Sequence, residues 1–469
     1  MCELISRWNA RRRFSARSEP TGYSRAVLDC TYRVQISHRT GQLARVMGAI
    51  AEGQGLIGDV VTISVGREAS VREITVEVRD IEQAERIEGL VDGLDGARVL
   101  WYQDRALIRH EGGKLHIDAV RRVATVQEMR DVYTPGVARV CSAIAEQPEL
   151  AGRYTMISRS VAICTNGTRV LGLGNIGPMA SMPVMEGKAV FYRQFAGISA
   201  MPVLIDTQEV DEFVETVVRI ACTFGGIHLE DISAPECFEI ERRLIEALRQ
   251  PVMHDDVHGT AVVSMAAAIV ACRHAGVELG SATVGQLGLG AAGYGIAALM
   301  VDGGVGRVIA FDPQNASHAR ALEKGIEMAS MADVMGMADV VVATTGRPGL
   351  IDPSMVRSGQ VILALSNPDP EITPEAAEEA GAAFAGDGRS VNNVLGYPGI
   401  FRGALRAGAK EIDVEMKLAA ARAIAEQAEG DELVPDALDQ RVHDAVAKAV
   451  QEAAERSGAA RPELAATGL

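Results

Sequence analysis

A chain of 469 residues is long enough for two or three domains with sizeable cores. Hydrophobic residues make up 48% and charged residues 23%, the balance of a globular chain, and a net charge of −16 argues against nucleic acid as a partner. The seven Cys are scattered with no C-x-x-C pair, which fits a reducing, cytoplasmic setting and argues against a disulfide frame or a zinc site.

Residues 1–25 are Arg-rich, lack the apolar core of a secretion signal and read as a disordered leader. Residues 28–110 predict a small α+β unit. A strand at "TYRVQIS" is followed by an amphipathic helix at 42–53, strands at "IGDVVTIS" and "VREITVEVRD", a helix at 81–94 and a strand at "ARVLWYQDRAL". This βαββαβ order is that of a ferredoxin-like fold. Together with "RTGQLARVMGAIAEGQGLIGDV" it resembles an ACT regulatory domain. That resemblance implies edge-to-edge pairing of copies and a small-molecule effector near the turn at Gly41; a dimerisation module without a ligand is the alternative.

"RHEGGKLHID" (109–118) reads as a linker. From there strands at "VAICTN", "RVLGLG" and "AMPVLIDT" alternate with helices at 127–146, 209–223 and 236–249, and an apolar helix follows at 259–276. The Ala-rich stretch 261–272 is too short to cross a bilayer, so no membrane partner is expected. Two acidic pairs fall at the ends of predicted elements: Glu230–Asp231 in "GGIHLEDISAPECFEIE" and Asp255–Asp256 in "PVMHDDVHGTA". Four carboxylates within one supersecondary unit suit a hard divalent cation such as Mg²⁺ or Mn²⁺. An Asp capping the helix at "GTAVVSMAAAIVA" is the alternative that spacing alone leaves open. Lys is scarce beside Arg, and Lys188 in the apolar "MPVMEGKAVFY" is the candidate for a titratable amine, against the alternative of a snorkelling surface lysine.

The next α/β unit opens with "ATVGQLGLGAAGYGIAALMVDGG", which sets Gly288-x-Gly290-x-x-Gly293 between a strand and an apolar helix. In such a loop the first glycine allows a tight turn, the second admits a pyrophosphate to the backbone and the third permits close helix–strand packing. Asp312 ends the following strand, "RVIAFD", where a carboxylate accepts from ribose hydroxyls, and no Lys or Arg follows until Arg320. NAD is thereby favoured over NADP. Ala/Glu-rich helices at 413–428 and 436–457 follow, and the tail after Gly458 is expected to be loose.

Three further segments narrow the reading: "YTPGVARVC" (133–141), "TNGTRVLGLGNIGPMASMPVMEGKAVFY" (165–192), and "LSNPDPEIT" (365–373) with "VNNVLGYPGIFRGAL" (391–405). In order and spacing, with the acidic pairs, they resemble the malic enzyme family over about residues 112 to 428, in its bacterial form with an N-terminal ACT domain. The resemblance implies Glu230, Asp231 and Asp256 as ligands of Mn²⁺ or Mg²⁺, Asp255 as the partner of Lys188, and Tyr133 as the family's catalytic tyrosine. It sets Arg169 against a malate carboxylate, and Asn367 and Asn393 against substrate from the nucleotide side. The implied fold is α/β: an ACT-like domain (28–110), a substrate and metal domain (112–276), and a Rossmann-type domain with C-terminal helices (277–458).

The implied reaction is oxidative decarboxylation of malate to pyruvate and CO₂ with reduction of NAD(P). Lys188, neutral through burial and a nearby cation, would take the C2 hydroxyl proton, and Tyr133 would protonate C3 of the enol. "VVVATTGRPG" and "FDPQNASHAR" depart from the family pattern on the cofactor side, which leaves NADP possible. The rivals are a malolactic enzyme, which makes lactate over tightly held NAD, and a ligand-sensing protein with an inactive site. A homodimer or larger homo-oligomer is expected.

Overall fold

The computed structural model describes residues 28–466 and 469 apart from 171, 315, 316 and 431; the expected leader at 1–25 lies outside the described residues. Compact packing divides the chain into one unit ending at Gly112 and another spanning Gly113–Leu469.

In the first unit β1 (Leu28–Ser37), β2 (Leu56–Val65), β3 (Ala69–Val78) and β4 (Ala97–Asp104) form an antiparallel sheet ordered β2-β3-β1-β4. Helices Gln42–Glu52 and Ile81–Asp92 cover one face, so the βαββαβ order read from the sequence is the order observed. Val46 and Ile50 of the first helix and Ile87 and Val91 of the second are buried with Val34, Ile36, Ile74 and Val76, which is where the apolar stripe of each helix meets the inward residues of the strands. β2 is an edge strand, and almost all of its residues are exposed.

The second unit holds two parallel sheets. The smaller is ordered β6-β5-β7-β8 and consists of β5 (Ser160–Thr165), β6 (Ser199–Leu204), β7 (Gly226–Leu229) and β8 (Val252–His254). All six residues of β5 are buried, as strands covered on both faces require. The larger sheet comprises β9 (Thr283–Leu287), β10 (Arg307–Phe311), β11 (Glu327–Met328), β12 (Val340–Ala343), β13 (Val361–Ala364) and β14 (Phe384–Asp387). Its order, β11-β10-β9-β12-β13-β14, is that of the doubly wound dinucleotide-binding fold, with the topological switch between β9 and β12.

Three sequence expectations are corrected. The described residues of "RVLGLG" form no strand: Val170 and Gly174 share one isolated bridge around a turn closed by Leu173 N–H on Val170 O at 2.8 Å. The helix expected at 127–146 is two helices, Val126–Val132 and Gly136–Glu146, because Pro135 has no N–H to give and restricts the residue before it. The apolar stretch after the second acidic pair is also longer than it read. A π-helical turn, Asp255–Gly259, runs into the helix Thr260–Ala275, and these 21 residues have the length and hydropathy of a membrane span. They are packed against the helices Ala291–Asp302 and Val414–Gln427 and against β13 and β14, and that burial accounts for their being apolar all round.

Candidate active site

Strand register brings the two acidic pairs together. Leu229, the last residue of β7, is paired with His254, the last of β8, so Glu230–Asp231 and Asp255–Asp256 emerge side by side from neighbouring parallel strands. Open parallel sheets bind ligands at this carboxyl edge. Asp231 takes a left-handed backbone conformation (φ 54°), and its N–H donates to Asp256 Oδ2 at 3.0 Å, clasping one pair to the other. One carboxylate oxygen from each of Glu230, Asp231 and Asp256 lies within 4.8 Å of the others.

Lys188 reaches this cluster from the last turn of the helix Pro178–Phe191. Its Nζ pairs with Asp255 Oδ2 and with Glu230 Oε1, the latter at 3.0 Å, and stands 4.6 Å from the centre of the Tyr397 ring. Asn393 closes the same corner from the far side of the sequence, donating from Nδ2 to Asp255 Oδ2 at 3.2 Å and accepting from Thr260 Oγ1 at 3.1 Å.

The charges are unbalanced in a telling way. Burial pushes the Glu230 carboxyl above its usual range, although Lys188 offsets part of the rise. Burial, then Glu230, lifts Asp256 to about 6. Burial pulls Lys188 down, but Asp255, Glu230, the Tyr397 phenol and Asp256 outweigh it and hold the ammonium well above the ordinary lysine range. The sequence expectation of a depressed Lys188 thus meets the opposite direction. One amine does not satisfy four clustered acids, and an oxygen-only donor set with this surplus of negative charge fits a divalent cation.

The glycine loop lies between β9 and the helix Ala291–Asp302. Gly288 has φ 88°, Gly290 caps the helix with open space where a Cβ would stand, and a Cβ at Gly293 would overlap Gly288 O. Asp312, just past β10, accepts from the loop N–H of Leu289 at 2.6 Å. Further along the same helix, a Cβ at Gly295 would overlap the carbonyl of Val257 in the π-turn that carries Asp255 and Asp256. The cofactor helix therefore rests directly on the acidic turn.

Residues 113–245 match the family model "Malic enzyme, N-terminal domain". The chain is 52% identical over 426 residues to NAD-dependent malic enzyme 1 of Bacillus subtilis, covering 90% of this chain and 97% of that one. The chain belongs to the malic enzyme family. It is also 43% identical to the bifunctional malic/malolactic enzyme of B. subtilis, over 74% of this chain and 92% of that protein. Among solved structures it is similar to malic enzyme from Pyrococcus horikoshii (TM-score 0.73, 36% identity), covering 77% of this chain and 92% of that chain.

Of the residues singled out from sequence, Lys188, Glu230, Asp231, Asp255, Asp256 and Asn393 converge, and Gly288, Gly290, Gly293 and Asp312 form one loop. Arg169 adjoins the cluster through its main chain, its N–H donating to Asp231 O at 3.0 Å, while its side chain is exposed. Asn367 follows β13 and donates to Gly388 O at 2.9 Å, and no hydrogen bond ties it to the cluster. Tyr133 ends the helix Val126–Val132, is 71% exposed, and has no hydrogen bond to Lys188 or the acids.

Several residues of the site escaped the sequence reading. Tyr397 sits in the quoted "GYPG" motif yet was not picked out. His228 and Tyr192 stand behind Glu230, where Tyr192 Oη is 2.8 Å from His228 Nδ1 and His228 Nε2 is 2.6 Å from Glu230 Oε2. Glu241 is buried under the π-turn and accepts from the His254 N–H at 2.7 Å and from His258 Nε2 at 3.0 Å.

Proposed function

We propose that this chain catalyses the divalent-cation-dependent oxidative decarboxylation of malate to pyruvate and CO₂, with NAD as the preferred oxidant. The observation that carries this reading is Lys188, set between Asp255 and Glu230 at the carboxyl edge from which both acidic pairs emerge. Glu230, Asp231 and Asp256 hold the cation. Bound there, Mg²⁺ or Mn²⁺ would supply Lewis-acid polarisation to the substrate and would offset the carboxylate field around Lys188. Lys188 would take the C2 hydroxyl proton in the oxidation for which a bound dinucleotide would supply the hydride acceptor, and Asp255 orients the amine. Asn393 fixes Asp255 and lines the substrate side, with Arg169 and Asn367 meeting the malate carboxylates. The family resemblance assigns the return of a proton to C3 to Tyr133, which stands exposed and apart from the Lys188 cluster in the single chain.

The dinucleotide binds over Gly288, Gly290 and Gly293, with its ribose on Asp312. NAD is favoured because Arg320, the first cation after Asp312, has its guanidinium stacked 3.9 Å from the centre of the Phe238 ring instead of standing free for a 2′-phosphate. Residues 28–110 serve as an ACT-like regulatory unit for a small-molecule effector, ahead of a substrate and metal region (112–276) and a nucleotide region (277–458). Assembly as a homo-oligomer is supported by the exposed apolar side chains around Tyr133, among them Val126, Met129 and Val132.

Initial rates with malate and either NAD or NADP, with and without EDTA, test the reading. NADH and pyruvate should form in equal amounts, NAD should outperform NADP, and EDTA should abolish turnover. Lys188→Ala should lower kcat by roughly 10²-fold or more. Lactate without net NADH would make the chain a malolactic enzyme, and turnover by Lys188→Ala close to the parent's would remove the assigned base.

A further inference from the structure

His228 is the third residue of β7, fully buried, and two residues before the first acidic pair. Its ring is caged edge-on by Tyr192 and Tyr397, at 5.6 and 5.4 Å, and stacked with Phe401 at 5.8 Å. An imidazole buried among aromatics is costly unless both nitrogens are bonded. Here both are, one to Tyr192 Oη at 2.8 Å and the other to Glu230 Oε2 at 2.6 Å.

The direction of these bonds follows from donor inventory. A neutral ring, the form that a fully buried aromatic cage favours, has one N–H. As a cation ligand Glu230 is a carboxylate and can only accept, which places that N–H on Nε2. Nδ1 is then an acceptor, and the Tyr192 phenol must donate to it. The chain runs one way, Tyr192 Oη–H to Nδ1 and Nε2–H to Glu230 Oε2, and it leaves Oε1 facing Lys188 Nζ at 3.0 Å.

We propose that Tyr192 and His228 are a positioning relay that holds Oε2 of Glu230 from behind and so presents the carboxylate, in one rotamer, to the cation and to Lys188. The inference rests on the reading of Glu230 as a metal ligand. The relay acts through Glu230 and touches neither substrate nor cofactor. Residues that orient a ligand from behind in this way change metal affinity when replaced, even where the fold survives.

Mn²⁺ binding to the full-length protein, followed by the free-ion EPR signal, tests it directly. His228→Leu should weaken Mn²⁺ binding about 10- to 100-fold, whereas His228→Gln, whose amide can replace the Nε2 donor, should stay within about threefold of the parent. Tyr192→Phe should fall between them. NADH affinity, measured by fluorescence on the same samples, should be unchanged in all three. If His228→Leu bound Mn²⁺ as the parent does while Glu230→Gln lost it, the relay would be rejected and the ligand assignment would stand. If Glu230→Gln itself kept the parent's affinity, the ligand assignment would fall and the relay with it. A second measurement needs no substitution: ¹⁵N NMR of the histidine-labelled protein should find His228 as the Nε2–H tautomer, with a ring resonance that shifts on Mg²⁺ saturation. The Nδ1–H tautomer, or a ring signal indifferent to Mg²⁺, would overturn the proposal.

Discussion

At the scale of single residues, the two Asp of the second pair stand in different surroundings. Asp255 is fully buried, with Oδ2 shared by Lys188 and Asn393, whereas Asp256 turns toward Asp231 and Glu230. Asp256→Asn should therefore weaken Mn²⁺ binding by calorimetry far more than Asp255→Asn, and Asp255→Asn should lower kcat with metal affinity largely kept; equal losses of affinity would erase the distinction. Gly259 permits this arrangement, since a Cβ there would overlap Asp255 Oδ1. Its φ of −62° suits any residue, so the cost of Gly259→Ala lies in the overlap with the buried Asp255, and the melting temperature should fall. Activity should fall by about 10²-fold, because a displaced Asp255 misplaces Lys188. Parent-like kcat in that variant would show that Asp255 tolerates movement. The acids and Lys188 were legible in sequence because paired carboxylates and a rare lysine in apolar surroundings need an explanation. His228, Tyr192 and Tyr397 were not, because a histidine in a buried strand and tyrosines in apolar helices look like ordinary core until the fold brings them behind Glu230.

At the scale of elements, parallel register and a π-turn make the site. β7 and β8 end level, and the turn Asp255–Gly259 swings the second pair back toward the first before the long helix begins. That turn is anchored from below. Burial pushes the Glu241 carboxyl up, but His258, Lys417 and His254 outweigh it and hold it at about 2, and Lys417 Nζ lies 3.1 Å from His258 Nδ1. The network pins the helix Glu236–Ala247 and the helix Val414–Gln427 to the π-turn. A carboxylate depressed in the folded state stabilises fully above its unfolded pKa of 4.5, and that stability is lost as pH falls toward 2. The difference is on the order of 3 kcal/mol. Glu241→Gln should be less stable than the parent at neutral pH and should lose less stability on acidification below about pH 4.5, as read by urea unfolding at each pH. A parent-like acid slope in that variant would mean other carboxylates carry it. Element boundaries were the hardest part to read. Glycines in "RVLGLG" carry an apolar pattern without a strand, and Pro135 splits a helix whose periodicity continues across it.

At the scale of the whole chain, the Gly-rich fingerprint and the alternation of strands and helices were enough to anticipate a doubly wound sheet, because each apolar strand run is bounded by a turn. The end of the chain was not: the tail expected to be loose is packed, with Ala466 N–H on Leu405 O at 2.9 Å and Arg461 Nε on Gly408 O at 3.1 Å. Those are backbone-directed contacts that no hydrophobic pattern announces. The exposed apolar residues from Ile117 to Val132 are the converse case, a face the single chain leaves uncovered. Light scattering should give a mass that is a multiple of 49.7 kDa, and Val126→Asp with Met129→Asp should reduce it; a monomeric parent would refute assembly through this face.

Gly295 has the widest reach of the features described. Where the helix after the glycine loop crosses the acidic turn, Gly295 lies against the carbonyl of Val257 with no room for a Cβ. The spacing from the glycine loop to the acids is therefore set where these two stretches of main chain touch. One missing Cβ thus holds the glycine loop's helix against the acidic turn, and any side chain at position 295 would push the two apart.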